Sequence, residues 1–135
     1  MQHLLVVEDE PVHRKHLQRD LSEAGYQVAV AADFDEAVRA SGRRPPDLLI
    51  ADLTLAAGRD GLELVESLRG ARPELKAILM TGLPTDEVRA RARALGVSLL
   101  VEKPFRMQAL REAVRLALDG RQGGGRWTSP ARPSA

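Results

Sequence analysis

Short, largely apolar runs of four residues, bounded by polar or turn-forming residues, recur five times along the chain. Runs of this length are typical of strands that are buried on both faces of a parallel sheet. They lie at 4–7, 28–31, 48–51, 77–80 and 98–101. We therefore predict five buried strands.

Segments with a helical repeat of apolar residues follow each of these runs. The last of them has Met107, Leu110, Val114 and Leu118 at intervals of three or four residues. Such spacing is typical of a helix that packs one face against a sheet. Strands that alternate with helices in this way favour right-handed crossovers and a parallel sheet that is covered on both faces. The sequence therefore predicts an α/β fold with an open, doubly wound (βα)5 sheet.

A glycine follows each of the predicted helices. Glycine adopts the left-handed backbone at a helix C-terminus at less cost than other residues. We therefore predict that each helix ends at one of five glycines: Gly25, Gly42, Gly70, Gly96 and Gly120.

The chain contains 135 residues, 44% of them apolar, which suits one domain with a sizeable core. The periodic pattern stops before Gly120, and the remainder is rich in glycine, proline and serine. We predict a folded domain over residues 1–119 and a flexible tail over residues 120–135. Trp127 is the large apolar residue of that tail, and its role stays open.

Charge and composition exclude several classes of function. The chain has no cysteine, which removes disulfides, thiolate metal sites and a cysteine nucleophile. Without the three arginines at 121, 126 and 132, the predicted domain carries 17 basic and 19 acidic residues, so no basic face for nucleic acid is expected. No apolar run is long enough to cross a bilayer, and the chain starts without a secretory signal. We therefore expect a cytoplasmic protein that binds neither nucleic acid nor membrane.

Polar side chains stand after four of the five predicted strands. Glu8 and Asp9 follow the first strand, Asp52 the third, Thr81 the fourth and Lys103 the fifth. Because parallel strands bring their carboxyl ends to one edge of a sheet, we expect these side chains to lie close together. Three converging carboxylates repel each other, and Mg²⁺ is a common way to stabilise them. A lysine and a threonine hydroxyl can bind phosphoryl oxygens, so the set suits phosphoryl transfer onto a carboxylate.

Four segments resemble the signature segments of response regulator receiver domains, the CheY-like superfamily. They are LLVVEDE at 4–10, DLLIAD at 47–52, ILMTG at 78–82 and EKPF at 102–105. Their order and separations agree with that family from about residue 2 to residue 119. The resemblance implies the flavodoxin-like strand order 2-1-3-4-5. It also implies a regulator of a two-component phosphorelay, of the type that is free-standing or attached to a hybrid histidine kinase.

The resemblance gives the central role to Asp52, as the residue that accepts a phosphoryl group. Asp9, Asp52 and the backbone carbonyl of Thr54 would ligate Mg²⁺. Glu8 would act mainly through metal-bound water.

The resemblance also implies roles for residues after the fourth and fifth strands. Lys103 would pair with one phosphoryl oxygen, and Thr81 would move to donate a hydrogen bond to another. Gly82 would leave room for the departing group of the donor. The bond between Lys103 and Pro104 is expected to be cis, an isomer that is rare except before proline.

Partners follow from the same resemblance. A histidine kinase or a histidine phosphotransfer protein would donate the phosphoryl group. The face made by the fourth helix, fifth strand and fifth helix would bind a downstream protein, and homodimerisation stays open. With no effector domain expected, the protein would be a single-domain switch and not an enzyme, with no chemistry beyond its own phosphorylation and dephosphorylation.

Three features depart from the pattern of most receivers. Leu100 stands where an aromatic residue usually couples to the threonine, which puts the conformational relay in question. The loop at 53–61 is one residue longer than the commonest pattern, lacks its usual proline and ends in a Gly-Arg-Asp-Gly turn. Leu83 and Thr54 hold positions that tune hydrolysis of the acyl phosphate. Because an apolar Leu83 cannot orient an attacking water, we expect a long-lived phosphorylated form.

Two other classes of protein share part of this pattern. A phosphatase of the haloacid dehalogenase type also uses a strand-end aspartate with Mg²⁺. It needs a second aspartate two residues later, and this chain has Thr54 there. A pseudo-receiver, which is never phosphorylated, is favoured by Leu100 but not by the complete acidic set.

The three histidines show no such pattern. His3, His13 and His16 have no partner at a spacing that is typical of catalytic or metal sites. We therefore predict that all three lie at the surface.

Overall fold

The structure, a computed structural model, describes residues 1–120 as five strands that alternate with five helices. The strands are β1 (His3–Val7), β2 (Gln27–Ala31), β3 (Leu48–Asp52), β4 (Lys76–Thr81) and β5 (Leu99–Glu102). The helices are α1 (Pro11–Glu23), α2 (Phe34–Arg43), α3 (Gly61–Arg69), α4 (Asp86–Ala94) and α5 (Met107–Leu118), with a 3-10 turn at Ala56–Gly58. Residues 121–135, with Trp127, lie outside the described residues, so the domain boundary and the flexible tail stay predictions. Within residues 1–120, no helix has the length and apolar character that crossing a bilayer requires.

All five strands belong to one parallel sheet in the order β2-β1-β3-β4-β5, which confirms the predicted topology. Asp52, the last residue of β3, is level with Met80 of β4. Thr81, the last residue of β4, is level with Glu102 of β5. The carboxyl ends of these three strands therefore lie side by side.

Two hydrophobic cores, one on each face of the sheet, hold the helices in place. Leu5 and Val7 of β1 belong to the core that α2, α3 and α4 cover. Leu4 and Val6 belong to the core that α1 and α5 cover. Successive residues of a strand point to opposite faces, so burial on both faces explains the unbroken apolar runs of the sequence.

Helix ends agree with the predicted glycines at four of the five positions. Gly25, Gly96 and Gly120 have positive φ and follow α1, α4 and α5. The prediction is wrong for Gly42, which lies inside α2. Gly70 directly follows α3 as predicted, but it has right-handed backbone, with φ of −57°.

Proline, not glycine, limits α2. The helix passes through Gly42 and ends at Arg43. Arg44 has extended backbone, with φ of −150° and ψ of 101°. Pro45 follows it, and the residue before a proline avoids the helical region because of the clash with the proline ring.

Asp47 fastens the amino end of β3 to its neighbours. Its carboxylate accepts a hydrogen bond of 2.8 Å from the backbone N–H of His3, and it pairs with Arg72 at 3.1 Å. These two contacts hold the pKa of Asp47 below its usual value, and the hydrogen bond from His3 contributes most. A carboxylate with a lowered pKa stabilises the fold while it is ionised.

Asp47→Asn is expected to lower the free energy of unfolding by about 1 kcal/mol at neutral pH, because the amide forms no ion pair. The folded pKa lies below the unfolded value of about 3.9. The advantage of the parent is therefore present above that value and is lost as the pH falls through the folded pKa. Urea unfolding of the parent and the variant at neutral pH and at a pH well below the unfolded pKa measures the difference in stability. A difference that does not shrink in acid would contradict this account.

Candidate functional site

Three carboxylates meet at the carboxyl edge of the sheet. Glu8 and Asp9 follow β1, and Asp52 ends β3. Each offers an oxygen that lies within 4.8 Å of the other two. Glu8 and Asp52 are 2% and 5% exposed, whereas Asp9 is exposed to solvent. The structure thus brings together the three carboxylates that the sequence singles out, and we refer to them as the acidic cluster.

The ammonium group of Lys103 lies against the acidic cluster. Its Nζ forms an ion pair with Asp52 Oδ1 and lies 3.6 Å from Glu8 Oε1. The backbone N–H of Lys103 donates a hydrogen bond of 2.8 Å to the carbonyl of Thr81, which ties the residue after β5 to β4. The bond between Lys103 and Pro104 is cis, which confirms that prediction.

Burial and a second carboxylate make Asp52 hard to ionise. Burial, and then the hydrogen bond with Glu8, raises the pKa of Asp52 to about 7, although Lys103 opposes the shift. Burial alone would raise the pKa of Glu8, but hydrogen bonds from Asp52 and from the Glu10 backbone hold it at about 2. Burial also disfavours the charged form of Lys103, yet its bonds with Asp52 raise its pKa. An added cation would relieve this crowding of negative charge.

Ligand chemistry at the acidic cluster suits a hard divalent cation. Its three members offer oxygen atoms alone. One member, Asp9, is exposed, so water molecules can complete the coordination. Mg²⁺ binds through one or two carboxylates and keeps several waters, so these residues fit it.

Thr81 ends β4 at the same edge and is 7% exposed. Its Oγ1 accepts a hydrogen bond of 3.1 Å from the backbone N–H of Leu83, which leaves the hydroxyl proton for a bond elsewhere. A Cβ at Gly82 would meet no atom within 4 Å, so that side of the loop is open. The Leu83 side chain is 75% exposed.

The loop after Asp52 folds back on itself. Thr54, two residues after Asp52, forms an isolated antiparallel bridge with Asp60. The 3-10 turn Ala56–Gly58 lies between them and contains Ala57 with a φ of 63°. The closed loop holds Thr54 near the end of β3, and its carbonyl as a metal ligand stays a prediction.

Gly61 is a site residue that the sequence does not reveal, because Gly-Arg-Asp-Gly at 58–61 predicts only a turn. A Cβ at Gly61 would overlap the carbonyl oxygen of Asp52 and would lie 3.0 Å from the Leu79 side chain. The backbone N–H of Gly61 donates a hydrogen bond of 2.7 Å to the carbonyl of Leu53. Glycine therefore allows α3 to begin directly against the backbone of Asp52 at the end of β3.

The predicted surface position is confirmed for His16 and is wrong for His3, whereas His13 is partly exposed and has a partner that the spacing of the histidines does not reveal. His3 is buried within β1. The half-buried His13 places Nδ1 2.7 Å from Glu8 Oε1. A signal was present in the sequence, because a residue in the first turn of the helix after β1 lies close to the carboxyl edge of the sheet.

A profile of the response regulator receiver domain matches residues 4–115. That span contains the four segments of the resemblance and the whole acidic cluster. The chain belongs to the response regulator receiver domain family.

Receivers of known sequence and structure agree with this assignment. The nitrogen assimilation regulatory protein NtrX of Azorhizobium caulinodans is 31% identical over 117 residues, which are 86% of this chain and 26% of NtrX. The chain thus spans about a quarter of the length of that relative. The solved receiver domain of NtrX from Brucella abortus is 32% identical, with a TM-score of 0.78 and coverage of 86% of this chain and 98% of that one. Chemotaxis protein CheY4 of Vibrio cholerae is 25% identical, with a TM-score of 0.81 and coverage of 87% and 98%.

Leu100 remains the departure from most receivers that bears on the switch. It is 3% exposed and belongs to the core that α2, α3 and α4 cover. It is level with Leu79 of β4, two residues before Thr81. A buried leucine has no aromatic ring, so it does not supply the coupling group that most receivers have at this position.

Gly61→Ala is expected to lower the free energy of unfolding by about 2 kcal/mol, because the added methyl group overlaps the backbone of Asp52. It should also weaken Mg²⁺ binding, since Asp52 must move. Thermal unfolding and titration with Mg²⁺ measure the two effects. Gly42→Ala is the matched control, because Gly42 is helical with nothing within 4 Å of the new methyl group. Equal behaviour of the two variants would contradict the role of Gly61.

Proposed function

We propose that this receiver accepts a phosphoryl group on Asp52 and then changes its contacts with other proteins. The observation that carries the proposal is the ion pair of Lys103 with Asp52, a nearly buried member of the acidic cluster. An aspartate after a strand is commonly a cap or a turn residue. A nearly buried carboxylate between a second carboxylate and an ammonium group is instead typical of a reactive site.

Asp52 is the best nucleophile of the acidic cluster. Both oxygens of Glu8 already have partners, since Oε2 accepts a bond of 3.1 Å from the Glu10 backbone and Oε1 lies 2.7 Å from His13. Asp9 is exposed, so water screens its charge. Asp52 ends β3, the middle strand of the sheet, and lies next to Lys103, which would bind a phosphoryl oxygen.

Mg²⁺ is the cation that we propose for this site. Asp9, Asp52 and the backbone carbonyl of Thr54 would hold it directly, and Glu8 would hold it through a bound water. When bound, the ion supplies positive charge that offsets the charge of the phosphoryl oxygens and of the carboxylates. The chain itself supplies oxygen ligands on the rigid edge of a sheet.

Phosphoryl transfer would form one bond and break another at phosphorus. An oxygen of ionised Asp52 attacks while the bond from phosphorus to the imidazole nitrogen of the donor breaks, and that nitrogen keeps the electron pair. Lys103 pairs with one phosphoryl oxygen, and the Thr81 hydroxyl donates a hydrogen bond to another. The open side at Gly82 leaves room for the departing group.

The donor in this proposal is a histidine kinase or a histidine phosphotransfer protein. The new phosphoryl group adds charge and acceptor oxygens, and contacts from Lys103 and Thr81 shift an existing conformational equilibrium. The face formed by α4, β5 and α5 would then bind a downstream protein or a second copy of the chain. The domain would bind no nucleic acid and would turn over no external substrate.

Asp52→Asn is expected to abolish phosphorylation, because an amide does not replace the carboxylate as nucleophile. The parent and the variant are incubated with Mg²⁺ and acetyl phosphate and then weighed intact by mass spectrometry. The parent gains one labile phosphoryl group. Asp47→Asn, at the opposite end of β3, also gains one and is the matched control.

An adduct on Asp52→Asn would contradict the assignment of the acceptor. A parent that binds Mg²⁺ but gains no adduct would contradict phosphorylation by small donors. It would favour a domain that signals without phosphorylation.

Leu83→Glu is expected to shorten the lifetime of the phosphorylated form several-fold, because a carboxylate at this exposed position can orient an attacking water and an apolar side chain cannot. The decay of the adduct after removal of the donor measures the lifetime. Leu83→Met keeps the position apolar and should decay like the parent. An unchanged lifetime in Leu83→Glu would refute the role of Leu83.

A further inference from the structure

We propose that His13 is a positioning residue of the phosphorylation site, which holds the Glu8 carboxylate so that Lys103 stays on Asp52. The inference rests on the proposed function, which gives Asp52 and Lys103 their roles. It adds a residue that lies outside the four signature segments of the sequence.

Glu8 has little access to water, so its protein partners decide where it points. The residue is 2% exposed. Its Oε2 accepts a hydrogen bond of 3.1 Å from the backbone N–H of Glu10. Its Oε1 lies 2.7 Å from His13 Nδ1 and 3.6 Å from Lys103 Nζ. The imidazole therefore makes the hydrogen bond to Oε1, and the ammonium group lies beyond hydrogen-bond distance.

The direction of the bond between His13 and Glu8 follows from the neighbours of Glu8. A carboxylate beside a lysine ammonium and a backbone N–H is ionised, and an ionised carboxylate only accepts. Nδ1 of His13 must then carry the proton and donate it to Oε1. Donation to a charged acceptor makes this one of the stronger hydrogen bonds of the site.

The imidazole of His13 is itself held in place. The His13 backbone N–H donates a hydrogen bond of 2.6 Å to the Glu10 carboxylate, which caps α1. The ring of Phe105 lies 6.0 Å from the His13 ring, centre to centre, with the planes tilted by 45°. Arg14, the next residue of α1, donates a bond of 2.9 Å to the carbonyl of Glu8. The first turn of α1 thus forms hydrogen bonds with both the backbone and the side chain of Glu8.

Glu8 and Asp52 compete for the ammonium group of Lys103. Nζ is in contact with Asp52 while it remains 3.6 Å from Glu8. Without His13, the buried and charged Glu8 carboxylate would lose the hydrogen bond of 2.7 Å at Oε1, which is unfavourable. Lysine has a flexible stem and three donors, so Lys103 would turn toward Glu8 and away from Asp52. Loss of the His13 donor should therefore slow phosphorylation.

The experiment compares variants of the full chain at His13 and at His16 with the parent. His13→Leu removes the donor and keeps a side chain of moderate size. If His13→Leu does not fold, His13→Ala replaces it as the variant without a donor. His13→Asn restores a donor, because its amide nitrogen is attached to Cγ as Nδ1 is in histidine. His16→Leu is the matched control, since His16 is an exposed histidine of the same helix.

Two measurements are made on each variant. The first is the side-chain nitrogen signal of Lys103 by NMR without metal, in a chain that has only three lysines. The second is the rate of phosphorylation by acetyl phosphate at saturating Mg²⁺. In His13→Leu we expect a moved Lys103 signal and a rate that is lower by on the order of tenfold. His13→Asn should recover both, and His16→Leu should change neither.

An unmoved Lys103 signal in His13→Leu would overturn the inference, and so would His13→Asn that is as impaired as His13→Leu. The two proposals fail separately. A parent that accepts no phosphoryl group would overturn the proposed function, whereas a Lys103 signal that moves in His13→Leu and returns in His13→Asn would still establish the positioning contact.

Discussion

Asp52 and Lys103 form their ion pair at the carboxyl edge of the sheet, where Asp52 is nearly buried beside a second buried carboxylate. Burial and Glu8 both oppose the ionised form of Asp52, while Lys103 favours it. A single lysine cannot balance three carboxylates, so the site carries excess negative charge that a cation would offset. The other features of the site follow from the need to hold these groups together.

The sheet holds the groups in place because its strands are packed on both faces and paired along their length. Asp52 is the last residue of β3 and Thr81 is the last residue of β4. Both are paired with a neighbouring strand, so the backbone fixes their positions. Asp9, Lys103 and Leu83 lie on connecting segments, which can adjust when a ligand binds. Gly61 lies against the end of β3, because α3 can begin beside Asp52 only where no side chain intervenes.

Much of this arrangement could be predicted from the sequence, since it depends on regular patterns. The apolar run at 48–51 predicts a strand buried on both faces, and the polar residue that follows it must then lie at the carboxyl edge. The order of the strands came from the resemblance to receivers, because periodicity alone does not say which strands pair. The carboxylates were found in this way because each stands directly after a strand.

What the sequence did not reveal depends on contacts between residues that are distant or on exact backbone geometry. Gly42 and Gly61 are both glycines near a helix end. Only the packing shows that Gly61 lies against Asp52 of β3, whereas Gly42 has open space around it. His13 has no spacing motif, since its partner is set by where the first turn of α1 meets β1. The sequence identifies Leu100 as a departure from most receivers, but only the packing shows that it is part of the core.

Crystals of the full chain with Mn²⁺ and beryllium trifluoride, a stable analogue of the phosphoryl group, would test the central claim most directly. Anomalous scattering locates the metal ion, and the electron density locates the analogue. The account predicts the metal between Asp9, Asp52 and the carbonyl of Thr54, with the analogue on a carboxylate oxygen of Asp52 and in contact with Lys103. A metal ion elsewhere, or an analogue bound to another carboxylate, would contradict it.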